Sequence, residues 1–315
     1  MRISTNSMYQ KNLNSILNTN NKWQKSGLHL ATGKKILSPS DDPMGASQAL
    51  ILKQAQSKND QFQAARESVD KSLSRQDTIL KEVNTVIQTI QETLVYAGNE
   101  TLNDENRQDL ANKLQGLKDQ LISLANAKDT NGNYLFAGNK NDTPPFVVDE
   151  SGKVNYVGGT SQINVLIDDT REVSLSFTGA QTFMSGANPN QPDAPSDIFA
   201  SLDYALDALN MKLDDNDEDA IEQFRAGLTQ ASLGIDNAFD NISTLRAAGG
   251  TVLAEVERLS ALGDSLDIEF ETQISQIEDV DWYEAISDYV MLQANLQAAQ
   301  YTFMNMQSMS LFQMK

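Results

Sequence analysis

Residues 282–312 carry an apolar repeat that an isolated, water-exposed helix has no use for. Trp282, Ala285, Tyr289, Leu292, Leu296, Ala299, Phe303 and Met306 recur at alternating spacings of three and four. That is the period of a helix laid along another helix. The opposite face reads Gln293, Asn295, Gln297, Gln300, Asn305 and Gln307, and after Asp288 the only charged side chain is Lys315. A helix facing water normally carries charge there, so this one is expected to be surrounded by other protein. The other end of the chain has a matching seam. Tyr9, Leu13, Ile16, Asn20, Trp23, Gly27 and Leu30 follow the same rhythm, weakened at Asn20 and Gly27. No acid precedes Asp41, whereas Arg2, Lys11, Lys22, Lys25, Lys34 and Lys35 make the segment basic. Two complementary seams predict that the ends of the chain pair with each other. Periodicity alone would equally serve a helical hairpin closing a bundle. The charge-free polar face points toward assembly with further subunits.

Composition removes most other function classes. The 315 residues give room for two or three domains and a sizeable core. The absence of Cys excludes disulfides, thiolate metal sites and thiol nucleophiles. A single histidine, His29, excludes a His-based metal cluster or a two-His relay, and its neighbours Leu28 and Leu30 make it a helix-surface or packed imidazole. No apolar run approaches the ~20 residues needed to cross a bilayer, and residues 1–10 lack the apolar core of a secretory signal. The chain therefore reads as cytosolic unless it leaves the cell by another route. The net charge of −19 sits in one stretch: residues 193–288 hold 23 acids against four bases, and the rest balances at 20 against 20. Such a chain repels nucleic acid and anionic membrane, so neither is an expected partner. Its acidic face suits solubility and self-repulsion before assembly.

Along the chain, Ser38-Pro39-Ser40-Asp41-Asp42-Pro43 is a break followed by a helix start. A stripe of Val69, Leu73, Gln76, Leu80, Val83, Ile87, Ile90, Leu94 and Ala97 then runs to Gly98-Asn99, a helix stop. Asn103-Asp104-Glu105 restarts a helix carrying Leu110, Leu114, Leu117, Leu121 and Leu124 that is expected to end near Asp129. From Asn131 the period changes to two. Strands are predicted at 134–136, 146–148, 154–157, 163–167 and 173–177, with Asp149-Glu150-Ser151-Gly152 as a hairpin turn. After a Gly- and Pro-containing loop with Pro189, Pro192 and Pro195, a helix is expected over 198–211. A long seam follows through Ile221, Phe224, Leu228, Ala231, Ile235, Ala238, Ile242 and Leu245. Gly249-Gly250 interrupts it, and Val252, Val256 and Leu259 resume in step. The expected fold is mainly α with an inserted small β domain (α+β), a long antiparallel helical rod or coiled coil with its N- and C-termini paired. Residues 1–42 with 281–315 form the terminal helical assembly domain, 43–138 with 196–280 the helical rod domain, and 139–195 the inserted β domain.

Candidate chemistry is weak throughout. Asp129-Thr130-Asn131-Gly132-Asn133-Tyr134 resembles the start of a Ca²⁺ loop, but the sixth position is Tyr134 where Gly should turn the chain, and the twelfth is Lys140 in place of Glu. A tight turn is the better reading. The acids from Asp214 to Asp219 suit a helix N-terminus. Gly33-Lys34 lacks P-loop spacing, and one histidine cannot support a triad. No catalytic residue, cofactor or metal is expected. An enzyme carried in the insert would need a convergent polar pocket within 139–195.

Several motifs together resemble the flagellin superfamily. They are Arg2-Ile3-Ser4-Thr5, Leu30-Ala31-Thr32-Gly33-Lys34-Lys35-Ile36, Pro39-Ser40-Asp41-Asp42-Pro43 and the run from Leu124 to Gly138. At the other end stand Ile277-Glu278-Asp279-Val280-Asp281, Leu296-Gln297-Ala298-Ala299-Gln300 and Ser310-Leu311-Phe312. The run to Gly138 followed by Pro144-Pro145-Phe146 is similar to the members that join hook to filament. The resemblance implies a structural adaptor of the bacterial flagellum, exported through the flagellar type III apparatus without a cleaved signal and ending outside the cell. Its implied partners are further copies of itself, hook-associated protein 1, flagellin, and an export chaperone on the C-terminal segment. The filament subunit, flagellin, is the alternative. Residues expected at the assembly interface are Leu13, Ile16, Trp23, Leu30, Trp282, Tyr289, Leu292, Leu296, Phe303 and Met306.

Overall fold

Helix starts and stops fall where local chemistry puts them. In a computed structural model, residues 2–99, 102–188, 191, 194–213 and 218–312 are described, with side chains within 7–307. Helix α1 (Arg2–Thr32) ends at Gly33, which takes a φ of 71° and donates its N–H to the His29 carbonyl at 2.9 Å, the left-handed stop that glycine accepts without strain. Helix α2 (Pro43–Ala97) starts on Asp42, whose carboxylate accepts from the N–H groups of Met44 and Gly45 at 3.1 and 3.0 Å. Pro43 occupies the first turn, where its missing N–H costs nothing. Helix α3 (Asp104–Ala125) is capped by Asn103, which accepts from Asn106 N–H at 2.8 Å. The remaining helices are α4 (Gly179–Phe183), α5 (Ile198–Leu209), α6 (Glu218–Glu278) and α7 (Trp282–Phe312).

Packing divides the chain into two units, Asp60–Gly263 and Met1–Asn59 with Asp264–Lys315. The first holds the apolar core. Every member of the α2 stripe from Val69 to Ala97 is buried, Gln76 included. Leu80, Ile87 and Ile90 meet Leu114 and Leu121 of α3, Phe199 and Leu202 of α5, and Ile235 and Ile242 of α6 in one cluster. Phe136, Phe146, Phe183 and Phe199 join it as a chain of rings, Phe146 lying 5.3 Å from Phe183 edge-on and 5.4 Å from Phe199. A smaller cluster unites Val69, Leu73, Ile167, Val173, Val256 and Leu259.

The β region differs from expectation. Among the described residues there are four strands, each of three residues, in two separate antiparallel pairs. Strand β1 (Phe146–Val148) pairs with β2 (Val154–Tyr156), and β3 (Asn164–Leu166) with β4 (Glu172–Ser174). The strand predicted at 134–136 is a turn with one bridge, between Lys128 and Tyr134. Its apolar residues are buried because Gln76 of α2 donates to the Leu135 carbonyl at 2.7 Å and Tyr156 Oη to the Phe136 carbonyl at 3.1 Å. The same glutamine shortens the strand predicted at 173–177. Its amide accepts from Phe177 N–H at 2.9 Å and donates to the Phe177 carbonyl at 3.1 Å, drawing the backbone off the ladder. Asp129 does serve a turn: its carboxylate accepts from Asn131 and Asn133 N–H, both at 2.8 Å. Helix α3 stops at Ala125, not near Asp129, because Asn126 turns aside and holds both backbone groups of Phe146. Gly249-Gly250 interrupts the apolar seam as expected while α6 runs on through both. Gly249 lies under the Phe177 ring, where an added Cβ would meet Cε2 at 3.3 Å. Pro189, Pro192 and the acids at 214, 215 and 217 lie outside the described residues.

Candidate assembly interface

The second unit is built from both ends of the chain, α1 and α7 packing antiparallel along their length. Tyr9 faces Phe303 with ring centroids 5.1 Å apart, and Trp23 faces Tyr289 at 5.6 Å. Of the two weak positions of the α1 seam, Gly27 lies against the Tyr289 ring and Asn20 is half-buried. Gly33 sits beside the Trp282 ring, at the mouth of the pair.

Most of the predicted interface residues thus face each other across this pair. Leu296 is buried, and Ile16, Trp23, Leu30, Tyr289, Leu292, Phe303 and Met306 are half-buried. Leu13 and Trp282 stay exposed at 39% and 54%. What remains open on α7 is a second apolar stripe. Tyr283, Ile286, Val290, Tyr301 and Met304 are all more than half exposed, Tyr283 at 91%. At 100° per residue these five share one line, roughly a third of a turn or more from the seam. The spacing that could have revealed it, Tyr283, Ile286, Val290 and then Tyr301, Met304 five turns on, is present in the sequence. It is hidden because one seam already accounts for the helix period.

The two flanks of the pair differ in character. On one side Trp23, Gln24, Gly27, Leu28 and Tyr289 border a shallow groove. Leu28 and Leu17, three turns apart on α1, are exposed there. On the other side a cleft is bordered by Lys22, Lys25, His29 and Lys35 from the α1 side, facing Asp281, Glu284 and Asp288 from the α7 side. His29 uses Nδ1 to bond the Lys34 carbonyl at 2.7 Å, a structural contact.

A corner joins α1 to the start of α2 and the end of α6 to α7. Lys34 pairs with Asp279 as a β-bridge, and Val280 N–H donates to the Gly33 carbonyl at 2.9 Å. Lys34 Nζ reaches one Glu278 carboxylate oxygen at 2.8 Å and Lys53 Nζ binds the other. Burial pushes the Glu278 carboxyl up, but the bonds and charge of the two lysines outweigh it and hold it below its ordinary value. Lys34 is raised, chiefly by its bond to Glu278. Lys25 bonds Asp41 at 2.5 Å and, with the Ser38 and Leu37 N–H groups, lowers that carboxyl to about 2. Among the described residues, no group of three His, Asp or Glu side chains is arranged to hold a metal ion.

The terminal pair matches known proteins at both ends. The family model for the bacterial flagellin N-terminal helical region matches residues 3–141, and that for the C-terminal helical region matches 233–314. Flagellar hook-associated protein 3 of Salmonella typhimurium is 42% identical over 319 aligned positions, covering 100% of this chain and 99% of that protein. The chain belongs to the hook-associated protein 3 family. Flagellin of Bacillus subtilis is more distant, 25% identical over 95% of this chain and 94% of its own length. The crystal structure of hook-associated protein 3 from Legionella pneumophila shares the fold, with a TM-score of 0.64 at 19% identity over 72% of this chain and 98% of that one.

Proposed function

We propose that this chain is a structural adaptor of the bacterial flagellum, joining hook to filament by packing its terminal helix pair against neighbouring subunits. The observation that carries this reading is the unfilled stripe Tyr283, Ile286, Val290, Tyr301 and Met304 on a pair whose own seam is already occupied by Trp23, Tyr289, Leu296 and Phe303. Burying the exposed part of each side chain gains on the order of 1 kcal/mol. That is too little for a tight dimer once association entropy is subtracted. Such a surface suits a lattice in which each subunit touches several others. Methionine in the stripe fits an adaptor that meets two kinds of neighbour, because its unbranched thioether repacks readily. Those neighbours are hook-associated protein 1 on one side and flagellin on the other, with copies of this chain beside it.

The neutral Gln and Asn side chains from 293 to 307 are exposed. They suit the wall of an export channel, to which unfolded cargo must not stick. Export through the flagellar type III apparatus, with a chaperone covering the C-terminal segment until delivery, would keep the stripe from associating early. No helix among the described residues is long and apolar enough to cross a membrane. The filament-subunit alternative is disfavoured by the greater identity to hook-associated protein 3 than to flagellin.

The test is an I286D/Y301D double variant in cells lacking the wild-type chain. Both residues face away from α1, so the purified variant should keep its helix content. It should leave the cells without filaments anchored to their hooks. Swimming at the wild-type level would refute the proposal.

A further inference from the structure

The end of the chain concentrates its sulfur. Of ten methionines, Met291, Met304, Met306, Met309 and Met314 fall within the last 25 residues, and the chain has no cysteine to act as a competing thiol. The described ones face different ways. Met306 is half-buried, its Sδ accepting from Asn12 Nδ2 at 3.2 Å. Met304, 58% exposed, lies on the open stripe with Ile286 and Tyr301. Met291 is equally exposed, at 54%, but sits roughly 100° around the helix from that stripe.

From this placement we propose that Met304 is a modification site: a hydroperoxide oxidises its thioether and so converts a free subunit into one that cannot join the assembly. This rests on the assembly reading above. The sulfur donates an electron pair to the terminal peroxide oxygen, the O–O bond breaks and an S–O bond forms. Sulfur is oxidised by two electrons, the peroxide is reduced, and with hydrogen peroxide the leaving hydroxide takes the proton shed by the transferred oxygen and departs as water. The product is a methionine sulfoxide. Its oxygen is a strong acceptor in place of an apolar sulfur, and the surrounding stripe offers aliphatic carbon and two tyrosine hydroxyls. The α7 backbone N–H groups are spent within the helix. Covering that oxygen with a neighbouring subunit strips its water, and a Tyr301 hydroxyl or Gln300 or Gln307 amide turned to bond it must itself give up water, so the covered sulfoxide costs free energy that the thioether does not. The modification acts before incorporation, because a neighbour seated on the stripe shields the sulfur from peroxide.

The experiment treats purified full-length chain with hydrogen peroxide and locates sulfoxide by peptide mass spectrometry. The chain is then added to flagellar hooks on cells that lack it, and occupied hooks are counted. Wild type, M304L and M291L are compared, with and without peroxide. Untreated, all three should bind alike. Peroxide should lower binding by wild type and M291L ~tenfold or more, while M304L changes less than twofold. In assembled flagella Met304 should resist oxidation that Met291 undergoes. The proposal is overturned if chain carrying Met304 sulfoxide binds within twofold of untreated chain, if M304L loses as much as wild type, or if M291L protects as well as M304L. Failure of untreated wild type to occupy hooks would bring down the assembly reading itself, whereas loss of the peroxide effect alone leaves that reading standing.

Discussion

Trp23 shows how residue identity can serve two ends imperfectly. Its ring stacks on Tyr289 in the middle of the α1–α7 seam, yet its indole N–H is buried with no acceptor. An unpaired buried donor costs about 1–3 kcal/mol, which offsets part of what the ring gains by leaving water. Replacing Trp23 by Phe removes the donor and keeps an aromatic face, so W23F should change stability by less than about 1 kcal/mol. W23A should cost about 2 kcal/mol, since the side chain is half-buried and not in a full core. Thermal denaturation followed by circular dichroism at the helix band separates the two. A large loss in W23F would mean the indole N–H has an acceptor after all. Gln76 is the opposite case. Its amide has a partner on both oxygen and nitrogen, and it sits fully buried at a position where periodicity alone would ask for leucine.

At the level of elements, the corner at Glu278 is where pH should act. Its carboxyl is depressed in the folded chain by Lys34 and Lys53, so it contributes stability that is present above the ordinary Glu range and is lost as pH falls through its folded value. Lys34 is raised, so its share is present below the ordinary Lys range and is lost as pH rises through its folded value. The contribution is therefore level through neutral pH. The acid limb of a stability profile should be shallower in E278Q than in wild type, with the two curves converging at low pH. Urea titrations between roughly pH 3 and 7 would read this, and parallel curves would remove Glu278 from the account. The helices themselves were legible because stripes at Val69–Ala97, Ile221–Leu245 and Trp282–Met306 are long, and caps such as Asp42, Asn103 and Asp281 sit beside them. The β region was legible in part: strands at 146–148, 154–156, 164–166 and 172–174 lie within or overlap the predicted ranges, while 134–136 forms none. Leu135, Phe136 and Phe177 look like strand residues, but side chains far away in sequence, Gln76 and Tyr156, take up the backbone groups a ladder would use. The terminal helix pair was half legible for a related reason. Periodicity found the seam between α1 and α7, and having explained the helix it concealed the second line of Tyr283, Ile286 and Met304.

On the scale of the whole molecule, the two units are unequally provisioned. Both buried apolar clusters lie within residues 60–263. The unit made from the termini has few fully buried apolar side chains, chiefly Ala49, Ala285 and Leu296. Isolated helices hold poorly without tertiary burial. Heating should therefore melt the free protein in two steps, with the terminal unit first. Amides of α1 and α7 should exchange with solvent well before those of α2 between Leu80 and Leu94. A single transition with uniform protection would contradict the division. Residues 1–59 wait for residues 264–315, so a polypeptide made from its first residue onward carries a lone, sticky helix until the ribosome releases the final stretch. Any product cut short before Trp282 would lack both the cover for that helix and the outward-facing side chains a neighbour would grip. Defective copies would thereby bar themselves from the growing structure, with no separate proofreading needed.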